Sequence, residues 1–233
     1  DGNVTWTDRS ANSNTGTVYG SPDNLLFKQG YNGSASTSTG RDGQGFPLRY
    51  QDNGAIGIAG TTAGAGTLNY RAEVANNTAL VTAQTWETWF KLGSIPASGS
   101  YKSIFQKSDN WNVSAGISLQ LIYGKFRWSW GTNWEADCFV VIAGNIEIDT
   151  WYHFVGTSDG TTGTGGVKMY LDGVLKDTGA ASQIPTETAK IQIGAGNGGS
   201  MDGQIGLLRV YADELTQAQV TQNYNAQRSR FNV

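Results

Sequence analysis

Short runs of alternating apolar and polar residues, closed by glycine, asparagine or aspartate, constrain this chain more than any other feature. From Lys125 to Gly131, Phe126, Trp128 and Trp130 alternate with Arg127 and Ser129. A period of two sends successive side chains to opposite faces of an extended strand. Ile117, Leu119 and Leu121 share a face in the preceding run, and Tyr123-Gly124 between the two runs signals a tight turn. Trp86, Thr88 and Phe90 fall on one face of an earlier run, with Glu87 and Trp89 on the other. Val167, Met169 and Leu171 alternate with Lys168 and Tyr170, and Asp172-Gly173 then turns the chain into Val174-Leu175-Lys176. Asp-Gly between alternating runs is the strongest short hairpin signal. Ile191-Gln192-Ile193 and the stretch from Ile205 to Tyr211 read as further strands.

One helix is predicted, from Gln217 to about Gln227. Thr216 can cap it, Gln219 can close a capping box, and Leu215 with Val220 can form a hydrophobic staple. Turn residues elsewhere recur about every 8 to 12 residues, as in antiparallel β domains. A dozen or so strands are best absorbed by two sheets packed face to face. The prediction is an all-β fold: a two-sheet antiparallel jelly-roll sandwich with one short C-terminal helix as its lid, in a single domain over residues 1–233.

Composition removes the competing classes. Thirty-two glycines and only 15% charged residues argue against a helical bundle. Eight Trp, 10 Tyr and 8 Phe supply a core that a disordered chain lacks. No apolar run approaches the roughly 18 residues of a membrane-spanning helix. The 16 Lys and Arg are scattered and the net charge is −3, so neither nucleic acid nor an anionic membrane finds a dense basic face. Cys138 is the only cysteine, which excludes an internal disulfide and a cysteine-based metal site. The chain opens on Asp1, so it is expected to be a processed form or a segment of something longer.

Four stretches, in order, resemble the laminin-G-like branch of the concanavalin A-like jelly rolls. They are the loop from Asp8 to Thr17, the strand from Thr85 to Lys91, the run from Asp149 through Trp151 and His153 to Asp172-Gly173, and the run from Met201 through Arg209 and Tyr211 to Asn225. The tail from Asn223 to Phe231 is similar to tails of laminin-G-like domains in marine phage structural proteins. The resemblance covers nearly the whole chain. It implies the jelly-roll fold, and an extracellular, cell-surface or virion-surface setting. The fold hosts lectins, adhesion modules, enzymes and virion proteins alike, so function must be argued from residues.

Three chemistries are worth weighing. The resemblance implies a Ca2+ between the first loop and the closing strand, with Asp8, Asn14 and Asp202 as donors. Calcium takes hard oxygens from carboxylates, amides and carbonyls. The position after Ile205, commonly acidic in the family, is here Gly206. The plainer reading is that Asp8 and its neighbouring asparagines make Asx-turns. For glycans, Trp111 and Trp134 sit in polar, loop-like surroundings and can stack on sugar rings, while Arg127 lines the face opposite Phe126, Trp128 and Trp130. Trp86, Trp89, Trp128, Trp130 and Trp151 are read as core fillers. For hydrolysis, Glu147-Ile148-Asp149 imitates the start of a laminarinase-type carboxylate motif, but the third carboxylate is replaced by Trp151 and the segment reads as a turn. His153 is the only histidine and reads as structural.

The sequence therefore points to a non-catalytic module that recognises a polysaccharide or cell-surface glycan, with calcium as a loop staple. The alternative is a structural or decoration protein that packs against other proteins of a virion or surface assembly. A glycan hydrolase or lyase is the third reading.

Overall fold

A computed structural model of the protein describes residues 4–6, 16–19, 25–27, 56–58, 71–76, 78–97, 100–108, 116–122, 124–131, 139–142, 146–181, 183–186, 188–196 and 199–233. The first strands are β1 (Val4–Trp6), β2 (Gly16–Tyr19), β3 (Leu25–Phe27), β4 (Ile56–Ile58) and β5 (Arg71–Val74). A single helical turn, α1 (Thr78–Val81), leads to β6 (Thr85–Leu92), β7 (Tyr101–Lys107), β8 (Gly116–Ile122), β9 (Lys125–Gly131) and β10 (Phe139–Ile142). Then come β11 (Trp151–Ser158), β12 (Gly163–Leu171), β13 (Val174–Ala181), β14 (Ile191–Ile193) and β15 (Gly203–Tyr211). The chain closes with α2 (Gln217–Gln227) and a 3-10 turn, Arg228–Phe231.

The strands form one eight-stranded sheet, β1-β2-β5-β14-β7-β8-β9-β10, and one seven-stranded sheet, β13-β12-β11-β6-β15-β4-β3. β14 enters between β5 and β7, and β15 between β6 and β4. These long crossings between antiparallel neighbours make the sandwich a jelly roll, as the sequence predicts.

The alternating runs place the core. Phe126, Trp128 and Trp130 face Phe90, Tyr152 and Phe154 across the two layers in one apolar cluster. Trp128 lies 5.3 Å from Phe154 and Trp86 stacks on Phe105 at 5.5 Å, which ties sheet to sheet. Each such ring, fully buried, contributes about 1.5–3 kcal/mol. Gly156 is required opposite Trp128, since a Cβ there would fall 2.4 Å from the indole.

The outer face of the seven-stranded sheet carries α2. Thr216 caps the helix and Gln219 closes the capping box. Val220 packs with Val155 and Tyr170, and Leu215 joins them as the predicted staple. Beyond the helix, Phe231 stacks on Trp89 at 4.3 Å and also meets Trp151. Trp89 and Trp151 are therefore buried outside the inter-sheet core, in a second apolar cluster with Leu207. Gly206 makes room for that cluster: a Cβ would stand 2.4 Å from the Phe231 ring. The glycine that breaks the family's acidic pattern is thus explained by the seating of Phe231.

Asp172 and Gly173 both take positive φ, 52° and 77°, in the predicted two-residue hairpin turn. The glycine-rich stretch before Lys168 is already part of the ladder. Gly163 and Thr164 already pair with Ala181 and Ala180, and the ladder shifts register before Val167. Its glycines build an irregular strand start rather than a free loop. β13 is the outermost strand of its sheet. The Leu175 amide donates to Gln217 Oε1 at 3.3 Å, and the Thr178 amide to Asp177 Oδ1 at 2.8 Å.

Candidate functional site

On the outer face of the eight-stranded sheet, the residues that alternate with the core are polar and uncharged over much of its width. Gln192 pairs with Gln106, Gln106 with Ser118, and Ser118 with Ser129, in one row across β14, β7, β8 and β9. A second row sets Ser103 opposite Gln120 and Gln120 opposite Arg127. Gln120, Arg127 and Gln192 are only 2%, 3% and 5% exposed.

The hydrogen bonds along these rows have a fixed direction. The Ser108 carbonyl can only accept, and Gln106 Nε2 donates to it at 3.0 Å. Gln106 Oε1 consequently faces Ser103 and takes the serine hydroxyl proton at 3.5 Å. The Ser103 oxygen then receives Gln120 Nε2 at 3.4 Å. What remains at the end of the relay is Gln120 Oε1, a buried acceptor with no donor, and Gln192 Oε1 is left in the same condition. A buried polar atom without a partner costs about 1–3 kcal/mol. Gly196 closes against this relay, where a Cβ would meet Gln106 Oε1 and Ser103 Oγ.

Beside Gln120, Arg127 Nε donates to Ser129 Oγ at 3.4 Å. Burial lowers the Arg127 guanidinium to about 10, against the upward pull of Tyr101. At the far edge of the first row, Glu73 is gripped by Arg71 at 2.5 Å and Lys190 at 2.9 Å. Burial raises the Glu73 carboxyl, but hydrogen bonds from Lys190 and Arg71 outweigh it and hold the group below the ordinary glutamate value.

The opposite outer face has a polar cluster of another kind. Glu87 is fully buried beneath α2. Its Oε1 accepts from His153 Nε2 at 3.0 Å and Gln227 Nε2 at 3.1 Å, with Arg209 Nη1 at 3.5 Å. Its Oε2 accepts from the Tyr211 hydroxyl and from Asn223 Nδ2 at 3.0 Å. Burial raises this carboxyl, yet His153 and Tyr211 hold it below its usual range. Tyr211, buried against that charge, is pushed up to about 12. His153 is structural, as predicted: it joins β11 to β6 through Glu87. Its Nδ1 and the Gln227 Oε1 lack partners, but both lie beneath the helix.

Of the predicted site residues, Arg127 and Asp202 are among those described. Arg127 lies on the polar face, opposite its three core aromatics as expected. Trp111 and Trp134 lie outside the described residues, as do Asp8 and Asn14. Asp202 is the described member of the calcium set; its carboxylate packs on Gly93, where a Cβ would come within 3.2 Å. It also faces Lys102, whose pKa burial lowers and Asp202 raises. Among the described residues no group of three His, Cys, Asp or Glu side chains gathers for a metal ion. Gln120 and Gln192 were not singled out by sequence. The available signal was an uncharged polar residue set between isoleucines and leucines, in strands whose other face is core.

A family model described as the concanavalin A-like lectin/glucanases superfamily matches residues 69–221. The chain belongs to that superfamily. Comparison with curated protein sequences returns no match. Among solved structures, domain 4 of AbnA, a GH43 extracellular arabinanase from Geobacillus stearothermophilus solved with arabinotriose, superposes with a TM-score of 0.61 at 19% identity, covering 93% of this chain and 91% of that one. A Trypanosoma rangeli sialidase in complex with sialic acid gives 0.61 at 13% identity; this chain spans 34% of it. The botulinum neurotoxin type G receptor binding domain gives 0.54 at 15% identity, with 51% of that chain spanned. These likenesses establish the fold.

Superfamily membership leaves both binding and hydrolysis open. The hydrolase reading needs paired carboxylates across a groove. Glu147 and Asp149 instead occupy an exposed turn before β11. The Glu147 amide donates to the Tyr152 hydroxyl at 2.7 Å, and the Asp149 amide to the Leu92 carbonyl at 2.7 Å. The segment is a turn, as its sequence suggests, and not a catalytic strand.

Proposed function

We propose that this chain is a non-catalytic carbohydrate-binding module, and that the outer face of the eight-stranded sheet receives the glycan. The observation that carries the reading is the orphaned Gln120 Oε1, directly opposite Arg127. A sugar hydroxyl is donor and acceptor at once. Both side chains are less than 4% exposed, so a hydroxyl that gives its proton to the amide oxygen and accepts from the guanidinium has to reach in below the sheet's surface. Support comes also from the similar AbnA domain, whose structure holds arabinotriose. Trp111 and Trp134 belong to the proposal as stacking partners, and a Ca2+ held by Asp8, Asn14 and Asp202 as a staple between loops. Lys102 beside Asp202 is a competing cation for that last role. The setting is extracellular, on a cell or virion surface, where repetition compensates for weak single sites.

Affinity gels containing arabinan, xylan, β-glucan or mannan test the proposal. Retardation in at least one gel is expected, with no release of reducing sugar. Loss of retardation in EDTA is expected if the calcium staple holds. A protein that runs freely in all four gels, and as a stable oligomer by light scattering, belongs to the structural class instead. Reducing-sugar release that Glu147→Gln abolishes would restore the hydrolase.

A further inference from the structure

The segment from Gln217 to Phe231 lies on the sandwich but takes no part in its inter-sheet core. Of these residues only Val220, Gln227 and Phe231 are buried. Their apolar contacts form two clusters of their own: Val220 with Val155 and Tyr170, and Phe231 with Trp89, Trp151 and Leu207. α2 itself carries no charged side chain. Segments with so little apolar burial open at a lower free energy than the whole fold.

The attachments of this segment converge. Asn223 Nδ2 and Gln227 Nε2 both donate to the Glu87 carboxylate. Tyr224 and Phe231 both stack on Trp89, at 5.8 and 4.3 Å. Glu87 and Trp89 stand two residues apart on β6 and share its outer face. Trp86 and Phe90 use the other face of the same strand, in the inter-sheet core. Contacts that share two residues are lost together, and the face they leave is not the one that holds the sheets. The chain before the helix is held separately. Thr85 Oγ1 donates to the Asp213 carbonyl and accepts from the Leu215 amide, and Lys168 grips Glu214 at 2.5 Å. Nearer the helix start, Gln217 Nε2 and Thr221 Oγ1 share the Gly173 carbonyl.

We propose that residues 217–231 form a lid that opens as one unit about Thr216 while both sheets stay folded, with Phe231 as its catch. Gly206 leaves the space that the Phe231 ring fills, so the catch has a fitted seat. Opening brings Trp89, Trp151 and Leu207 to the surface beside the Glu87–His153 pair. The protein therefore has a concealed aromatic face that its own C-terminal segment covers and uncovers.

Native-state hydrogen exchange on the full chain, followed across low denaturant concentrations, tests this. Hydrogen-bonded amides of the lid exchange together, at least about tenfold faster than those of β6 and β11. Their exchange also depends less steeply on denaturant, because lid opening exposes less surface than unfolding. Phe231→Ala speeds lid exchange by at least about tenfold more and leaves β7, β8 and β9 as protected as in the wild type. A lid that exchanges in step with β6 and β11, or that shows no protection at all, overturns the proposal. So does a Phe231→Ala protein whose strands lose as much protection as its lid. The wild-type comparison of lid with strands decides the matter even if the variant does not fold.

Discussion

The two outer faces of this sandwich both bury polar side chains, and they do so to opposite ends. Under α2, Glu87 has five partners from β11, β15 and the helix, and both its oxygens are occupied. On the eight-stranded sheet, a relay of the same kind of bonds ends in an amide oxygen with nothing to accept. Both clusters keep an orphaned amide oxygen, Gln227 Oε1 under the helix and Gln120 Oε1 on the sheet, but the first surrounds a carboxylate whose two oxygens are both occupied, which fixes structure. Neither polar burial nor an unused acceptor marks a site by itself; the sheet face is the proposed one because its orphaned oxygen stands opposite Arg127.

The contrast breaks most readily at Glu87. Glu87→Ala strands His153 and Arg209 beneath the helix and is expected to cost about 3–5 kcal/mol. Hydrogen exchange should show residues 217–231 opening first. A melting temperature within a degree or two of wild type would mean that the closed cluster holds nothing. The same carboxylate sets the acid limit. Its folded pKa lies below its unfolded value, so its ionised contacts contribute stability fully above the unfolded pKa. That contribution is lost as pH falls through the folded one. Glu73, also lowered, adds in the same direction. Urea midpoints should drop on the acid side of the ordinary glutamate range, and Glu87→Gln should flatten that slope.

A smaller effect is expected at Gly206, whose added methyl would press on Phe231. Gly206→Ala should cost about 1–3 kcal/mol through overpacking, read as a lower denaturant midpoint. Gly156→Ala, set against Trp128 in the main core, gives the reference for a clash between the sheets.

The smallest stability change and the sharpest functional one are expected together at Gln120. Gln120→Met removes an unsatisfied acceptor, so thermal stability should hold or rise slightly, while glycan retardation weakens by about tenfold. A large fall in stability with unchanged retardation would make the face a second structural cluster and erase the contrast.

Much of the fold was legible because strand alternation and turn chemistry agree locally. The run from Lys125 to Gly131, the Ile191–Ile193 strand, the Asp172-Gly173 turn and the capped helix from Gln217 to Gln227 stand where their sequence puts them. β7 was not legible: Ser103 and Phe105 flank a register shift that brings Ile104 and Phe105 both into the core, which destroys the period of two. The site was less legible than the fold. Arg127 announced itself by its charge among aromatics. Gln120 and Gln192 did not, because the property that distinguishes them, an acceptor left over at the end of a relay, depends on which neighbours the register supplies. The Glu87 network was half visible: its histidine stood out, but its partners lie on three other elements.

The β13 edge of the seven-stranded sheet has a consequence for crowding. Exposed strands ordinarily invite another chain to extend them. On β13, Gln217 and Asp177 have already taken the amides of Leu175 and Thr178. A neighbouring strand would find those two donors already spent, which weakens this border as a template for a further chain.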